Sequence, residues 1–157
     1  MPVLKRYNAG TATWEVVSAP TSGPIFADWV PILTASVTNP TLGTGSTVDG
    51  RYGQNGKEIQ GFASITFGSS GVAAGSGEYR VVLPVAPRVE SMNRVVGSGL
   101  LYDSSAAQSR NVTVFIPAGA NYVRFLSEAV STVVSNASPW TWAVNDEIAF
   151  SFSYEAS

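Results

Sequence analysis

The chain has 157 residues, the size of one ordinary domain, with 45% hydrophobic residues, only 13% charged residues and a formal net charge of −2. It contains no histidine and no cysteine, which excludes Ser-His-Asp and Cys-His catalysis, disulfides and cysteine-based zinc sites. The near-neutral charge gives no support to nucleic-acid binding through phosphate neutralisation. These features predict a binding protein or a structural protein, with no enzymatic activity and no cofactor.

The first 25 residues differ in character from the rest. Two short β-prone runs, 4–7 and 14–17, flank the turn sequence Asn8-Ala9-Gly10. The segment "SAPTSGP" at 18–24 then has the proline, glycine and small polar residues of a linker. The sequence therefore predicts an N-terminal hairpin arm with its linker over 1–25 and one β-sandwich domain over 26–157.

The predicted arm carries candidate partner-binding residues, which are Lys5, Arg6, Tyr7 and Trp14. A hairpin ahead of a linker can reach a neighbouring protein and add strands to its sheet. An arm folded back onto its own domain would instead cover a sheet edge. Both alternatives remain open at the level of sequence, because aromatic side chains near a terminus need burial in either case.

The main body reads as a series of short strands. A β-branched run at 32–38 is followed by a segment rich in Gly, Thr and Ser at 41–55, which predicts a long loop. Asn55-Gly56 predicts a tight turn, because both residues tolerate positive φ. From Glu58 to Phe67 the apolar residues alternate with period two, as in a strand with one buried face. Gly61 on the apolar face suggests a bulge or a close backbone approach.

The second half continues the pattern with strands predicted at 79–85, 95–102, 112–116, 122–126 and 148–154. Only 126–135 has a composition that fits a helical turn as well as a short strand. Short strands joined by glycine-rich loops, with no long helix, predict an all-β, jelly-roll-like β-sandwich. No apolar run reaches the length of a signal peptide or of a membrane span, so we expect no membrane insertion.

Acidic residues in or beside the glycine-rich loops are the only candidates for catalysis or metal binding. Asp49, Glu58 and Glu78 offer a carboxylate pair of the kind glycosidases use, but solvated loop charge is the favoured interpretation. Asp49 with Asn55 lacks the dense ligand spacing of a calcium loop. Asp146-Glu147 is interpreted as the turn before the last strand rather than as a ligand pair.

Two tryptophans form the best candidate surface for a host-envelope glycan. Trp140 and Trp142 are two residues apart in "SPWTWAVND", so an extended segment places both on one face. Exposed aromatic rings there would stack on sugars. The alternative is that they pack the end of the sandwich or a subunit interface, and we favour it because large aromatic side chains mostly bury area.

The order of short motifs resembles a known group of viral proteins. The chain contains "WVP" at 29–31, "NPTLG" at 39–43, "GRYGQNGK" at 50–57, "GSGEY" at 75–79 and "LPV" at 83–85. It ends in "WAVNDEIAFSFSYEAS" and carries "LKRYNAGTATWEVV" near its start. In these features it resembles small β-sandwich virion proteins of tailed bacteriophages of actinobacteria, of the minor tail, receptor-binding or head-decoration type.

The resemblance implies a bacteriophage virion structural protein made in the host bacterial cytoplasm. It further implies a homotrimer that contacts other virion proteins, as a minor tail or receptor-binding subunit attached through its arm. A capsid decoration protein and a carbohydrate-binding module are the alternatives. None of the matching motifs is a catalytic signature.

Overall fold

A computed structural model describes residues 5–16, 24–128 and 130–157 of the chain. The first described range is a hairpin, in which β1 (Lys5–Asn8) pairs antiparallel with β2 (Thr13–Val16). This hairpin forms a two-stranded sheet of its own. The predicted hairpin is thus present, whereas most of the predicted linker, residues 17–23, lies outside the described residues.

All other strands belong to one antiparallel sheet. Their bounds in chain order are β3 (Ile25–Asp28), β4 (Leu33–Ala35), β5 (Thr47–Asn55), β6 (Glu58–Thr66), β7 (Tyr79–Val82), β8 (Arg94–Asp103), β9 (Gln108–Ile116), β10 (Tyr122–Ser127), β11 (Thr132–Val133) and β12 (Glu147–Glu155). The strands lie in the order β3-β5-β6-β12-β8-β9-β10-β7-β4, with β11 paired to β10. The long strands stand at the centre and the short ones at the margins.

The sheet curls so strongly that its margins cover its own centre. Phe125 on β10 and Phe150 on β12 are three strands apart, which would separate them by about 14 Å in a flat sheet. Their ring centroids lie only 5.1 Å apart. On the other side Trp29, which follows β3, packs edge-on against Phe152 with centroids 5.7 Å apart. The two margins therefore close over one apolar interior, as in a sandwich.

The interior is filled by alternate side chains of the central strands. Ile59, Ala63 and Ile65 of β6 face it, as do the valines of β9. The last strand contributes four buried residues, Ile148, Phe150, Phe152 and Tyr154. Period two along each strand gives the sheet one buried and one exposed face, which we call the inner and outer faces.

The all-β fold class is confirmed, whereas the jelly-roll connection of the strands stays a prediction. Residues 126–135, which the sequence left open, contain the end of β10 and the two-residue strand β11. Within the described ranges, the structure contains no helix that is long and apolar enough to cross a membrane.

The predicted long loop over 41–55 was wrong in its second half. Residues 47–55 form β5, which pairs with β6 along its whole length and with β3 at its end. Its glycines suggested a loop, but Gly50 is buried under Trp29. A Cβ atom at Gly50 would lie 2.9 Å from the Trp29 ring, so glycine permits close packing there rather than a turn.

Candidate functional site

The N-terminal hairpin exposes one aromatic pair. Tyr7 and Trp14 are directly opposite each other in the β1–β2 register, and their ring centroids lie 5.2 Å apart. Tyr7 is 50% exposed and Trp14 is 65% exposed. Lys5 is exposed too, two residues before Tyr7 and hence on the same face of β1. The side chain of Arg6 lies outside the described part of the chain.

The second predicted aromatic site is largely buried. Trp142 is only 3% exposed, stacks on Phe67 at 5.5 Å and donates a hydrogen bond from Nε1 to the Ser135 carbonyl oxygen over 2.9 Å. Its ring faces are therefore covered within the fold, which leaves no open face of Trp142 on which a sugar could stack. Trp140 packs against Trp142 with ring centroids 5.6 Å apart and remains half-buried. The tryptophans do share one face, and that face points into the end of the sandwich.

The turn before the last strand is held by a buried carboxylate. Asp146 is fully buried, and its two carboxylate oxygens accept backbone hydrogen bonds from Ser104 at 3.0 Å and Ala143 at 2.8 Å. The neighbouring Asn145 has φ of 61°, in the left-handed region that tight turns require. Asp146 thus ties the 103–107 turn to the start of β12, and both its oxygens are engaged within the fold.

The three carboxylates considered for glycoside hydrolysis do not form a pair. Asp49 pairs with Ser64 across β5 and β6, whereas Glu58 lies six residues before Ser64, about 20 Å away along the strand. A retaining or inverting pair needs about 5–10 Å. Glu78 forms an ion pair with Arg124, the pKa of which is lowered by burial of its guanidinium.

The candidate metal ligands also lie too far apart in the described part of the chain. Asp49 and Asn55 lie at opposite ends of β5, six residues apart, so their side chains cannot share a calcium ion. Over the described ranges, no three carboxylate side chains come together to hold a metal ion. The remaining candidate surfaces of the main body lie on the outer face of the sheet.

A shallow groove follows β12 on the outer face, and it was not predicted from the sequence. It encloses about 690 Å³ beside Glu147, Ala149 and Ser151, and a second hollow continues it to Ser153. The side chains along β12 are small, so the larger ones of the flanking strands rise beside them, and the floor extends about 20 Å. We call this depression the outer groove. Phe62, 47% exposed, forms part of its wall midway along.

An apolar cleft adjoins the outer groove across Thr113. It encloses about 350 Å³, and its walls are Val95, Phe115, Leu126 and Val133. Register brings them together, since Val95 pairs with Phe115 and Leu126 pairs with Val133. Val95, on β8 at one end of these four strands, is 72% exposed. We call this feature the apolar cleft.

Two charged residues flank the cleft. Arg124 lies opposite Phe115 in the β9–β10 register and is engaged in its ion pair with Glu78. Glu128 follows Leu126 by two residues, is exposed and lines the outer groove where groove and cleft meet. A grouped apolar surface beside a charge is typical of a contact site for another protein, since solvated sheet faces are ordinarily polar. One sequence signal could have predicted the cleft. In β9 the alternation buries Val114 and Ile116, yet the outward residue between them, Phe115, is also apolar, as is the outward Val95 of β8.

Comparisons of the chain with protein-family models, with curated proteins and with solved structures find no match.

Proposed function

We propose that the chain is a structural subunit of a tailed bacteriophage particle, a homotrimer attached to the particle through its N-terminal arm. A minor tail or receptor-binding position is the leading assignment, and capsid decoration is the alternative. The virion context rests on the motif resemblance of residues 29–85 and of the two termini. The curled all-β body and the separate hairpin support a building role.

The exposed aromatic pair on the arm is the observation that carries this proposal. A single two-stranded hairpin is at best marginally stable in water. The Tyr7–Trp14 face is the largest apolar feature of this hairpin, and half or more of each side chain is exposed. Burial of such a face against a partner stabilises both the hairpin and the contact, because aromatic side chains dominate interface energetics.

The test compares attachment of the full chain and of a Trp14→Ser variant. We expect the purified chain to sediment as a trimer and to label one position on virions when it carries a tag. The Trp14→Ser variant should lose attachment while circular dichroism stays unchanged. Val37→Ser is the matched control, because Val37 is 78% exposed on the main body. A monomer at high concentration, or full attachment of the Trp14→Ser variant, would contradict the proposal.

Carbohydrate binding is a second candidate, and the outer groove favours it. Its lining combines the Phe62 ring with hydroxyl, amide and carboxylate groups, including Ser98, Asn111 and Glu147. Sugars present hydroxyl groups together with apolar faces that stack on aromatic rings. A glycan array should then show binding that Phe62→Ser abolishes and that Trp140→Ala leaves intact. Equal binding by wild type and Phe62→Ser would remove this candidate.

A further inference from the structure

The arm and the apolar cleft have complementary features that lie apart within one chain. Trp14 is 65% exposed on the arm and Val95 is 72% exposed in the cleft. Neither surface therefore covers the other in the same molecule. Each is an apolar group without a partner in the described part of the chain. Lys5 lies on the same face as the aromatic pair. Beside the cleft Arg124 is ion-paired with Glu78, which leaves Glu128 as the neighbouring charge without an ion pair among the described residues.

The charges are opposite in sign and similarly placed. Lys5 precedes Tyr7 by two residues on one strand face, and Glu128 follows Leu126 by two residues beside the cleft. Two residues of extended chain span about 7 Å, and Glu128 lies one residue beyond the end of β10. An aromatic pair seated between Val95 and Leu126 would therefore bring Lys5 within reach of Glu128.

The net charges of the arm and of the rest of the chain are also opposite in sign. Residues 1–16 contain two cations and one anion, namely Lys5, Arg6 and Glu15, whereas the whole chain has a formal net charge of −2. The arm is thus positive and the remainder of the chain is negative. Opposite potentials favour encounter between the arm of one copy and the body of another.

We propose that the arm of one copy docks on the body of a second copy, with Tyr7 and Trp14 in the apolar cleft and Lys5 beside Glu128. This inference rests on the proposed homotrimer and makes the contact between copies through the arm a requirement for attachment to the particle. The contact joins two different surfaces, so its repetition by a rotation that closes after three copies gives a ring, as a trimer requires. The same cleft on each copy is then filled by its neighbour.

The first experiment measures self-association of the full chain by analytical ultracentrifugation. Trp14→Ser and Val95→Glu should each weaken the association by about 30-fold or more, as removal of a central interface anchor does. Val89→Glu is the matched control, because Val89 is 76% exposed and does not line the cleft. Circular dichroism and urea midpoints check that each variant folds, and Leu126→Ser replaces Val95→Glu if that variant does not.

Reversal of the charges tests the register of the contact. Lys5→Glu and Glu128→Lys should each weaken association by about fivefold, and the double variant should recover most of this loss. High salt should reduce the effect of each single change, because exposed charges are screened. No recovery in the double variant would overturn the placement of Lys5 beside Glu128.

Crosslinking gives an independent measurement, because the chain contains no cysteine. A Lys5→Cys copy mixed with a Glu128→Cys copy should form a heterodimer with a short bismaleimide reagent. A Lys5→Cys copy mixed with a Val89→Cys copy should not. If Trp14→Ser loses attachment to virions while Val95→Glu and Leu126→Ser stay assembled, the arm binds elsewhere: the inference then fails and the proposed role of the arm stands. If Trp14→Ser stays both assembled and attached, both fail.

Discussion

Phe152 lies across the inner face at the position where a side chain on Gly61 would stand. The two residues are direct partners in the β6–β12 register. A Cβ atom on Gly61 would lie 2.7 Å from Cζ of the Phe152 ring and 2.5 Å from the carbonyl oxygen of Arg51. On its other side Phe152 pairs with Gly97, where β8 also changes register. Glycine on both flanking strands thus permits close packing, against the Phe152 ring at Gly61 and against the β12 backbone at Gly97.

Gly61→Ala should therefore destabilise the fold. The added methyl group meets backbone as well as the ring, so the site cannot relax by a side-chain rotation alone. We expect a loss of about 2–3 kcal/mol in the free energy of unfolding, measured by urea denaturation. Gln60→Ala, at the exposed neighbouring position, should stay within about 0.5 kcal/mol of wild type. An unchanged urea midpoint for Gly61→Ala would contradict the packing described.

Alternation was the part of the fold that the sequence could predict. β6 and β12 each have one buried face of period two, and that signal depends only on the local side chains. β5 was missed because Gly50 and Gly53 suggested a loop, although Gly50 is needed under Trp29. The reason for that glycine is a contact with a distant residue, which local sequence does not contain.

Only those features of the candidate sites that depend on residues close in sequence could be predicted. A hairpin with Tyr7 and Trp14 follows from neighbouring residues, whereas the burial of Trp142 depends on Phe67, which follows β6, and on Tyr79 of β7. The apolar cleft depends on the register of four strands. A single outward valine such as Val95 does not by itself predict an apolar surface. The surface forms because the register places Phe115 beside it.

The two adjacent tryptophans should differ in what their indole nitrogens contribute. Trp142→Phe removes the hydrogen bond to Ser135 and leaves a gap against Phe67, so we expect a loss of about 2–4 kcal/mol. The Nε1 atom of Trp140 is buried and has no hydrogen-bond partner among the described residues. Trp140→Phe should therefore cost less than about 1 kcal/mol. Equal losses in urea denaturation would show that Trp142 does not hold the sandwich end as described.

Asp146 and Asp103 provide a matched pair of carboxylates. Asp146 accepts backbone hydrogen bonds on both oxygens, so Asp146→Asn turns an NH₂ group toward an N–H donor. We expect a loss of about 2–3 kcal/mol in thermal or urea unfolding. Asp103 accepts all of its hydrogen bonds from Ser105 and Ala106 on one oxygen, which an asparagine can reproduce. Asp103→Asn should therefore have the smaller effect, and the opposite order would exclude Asp146 as the anchor of this turn.

Tyr154 should make the fold sensitive to alkaline pH. Its hydroxyl donates to the Val85 carbonyl oxygen at 2.7 Å and accepts from the Val85 N–H at 3.3 Å. Burial, with a smaller contribution from nearby Tyr52, raises the pKa of Tyr154 from an ordinary value of 10.0 to about 12. The folded state therefore holds the phenol proton more tightly than the unfolded state does, and this contribution to stability is complete below pH 10 and is lost as pH rises toward 12.

Tyr154→Phe tests this sign. At neutral pH the variant should be less stable by about 1–2 kcal/mol, because both hydrogen bonds to Val85 are lost. Between pH 10 and 12 wild type should lose on the order of 2 kcal/mol more than the variant does, so the two stability curves converge. Tyr79, the pKa of which is also raised by burial, accounts for the alkaline loss that remains in the variant. Tyr102→Phe is the control for removal of a phenol hydroxyl from an exposed side chain. Parallel curves for wild type and Tyr154→Phe up to pH 12 would show that the Tyr154 proton is not held by the fold.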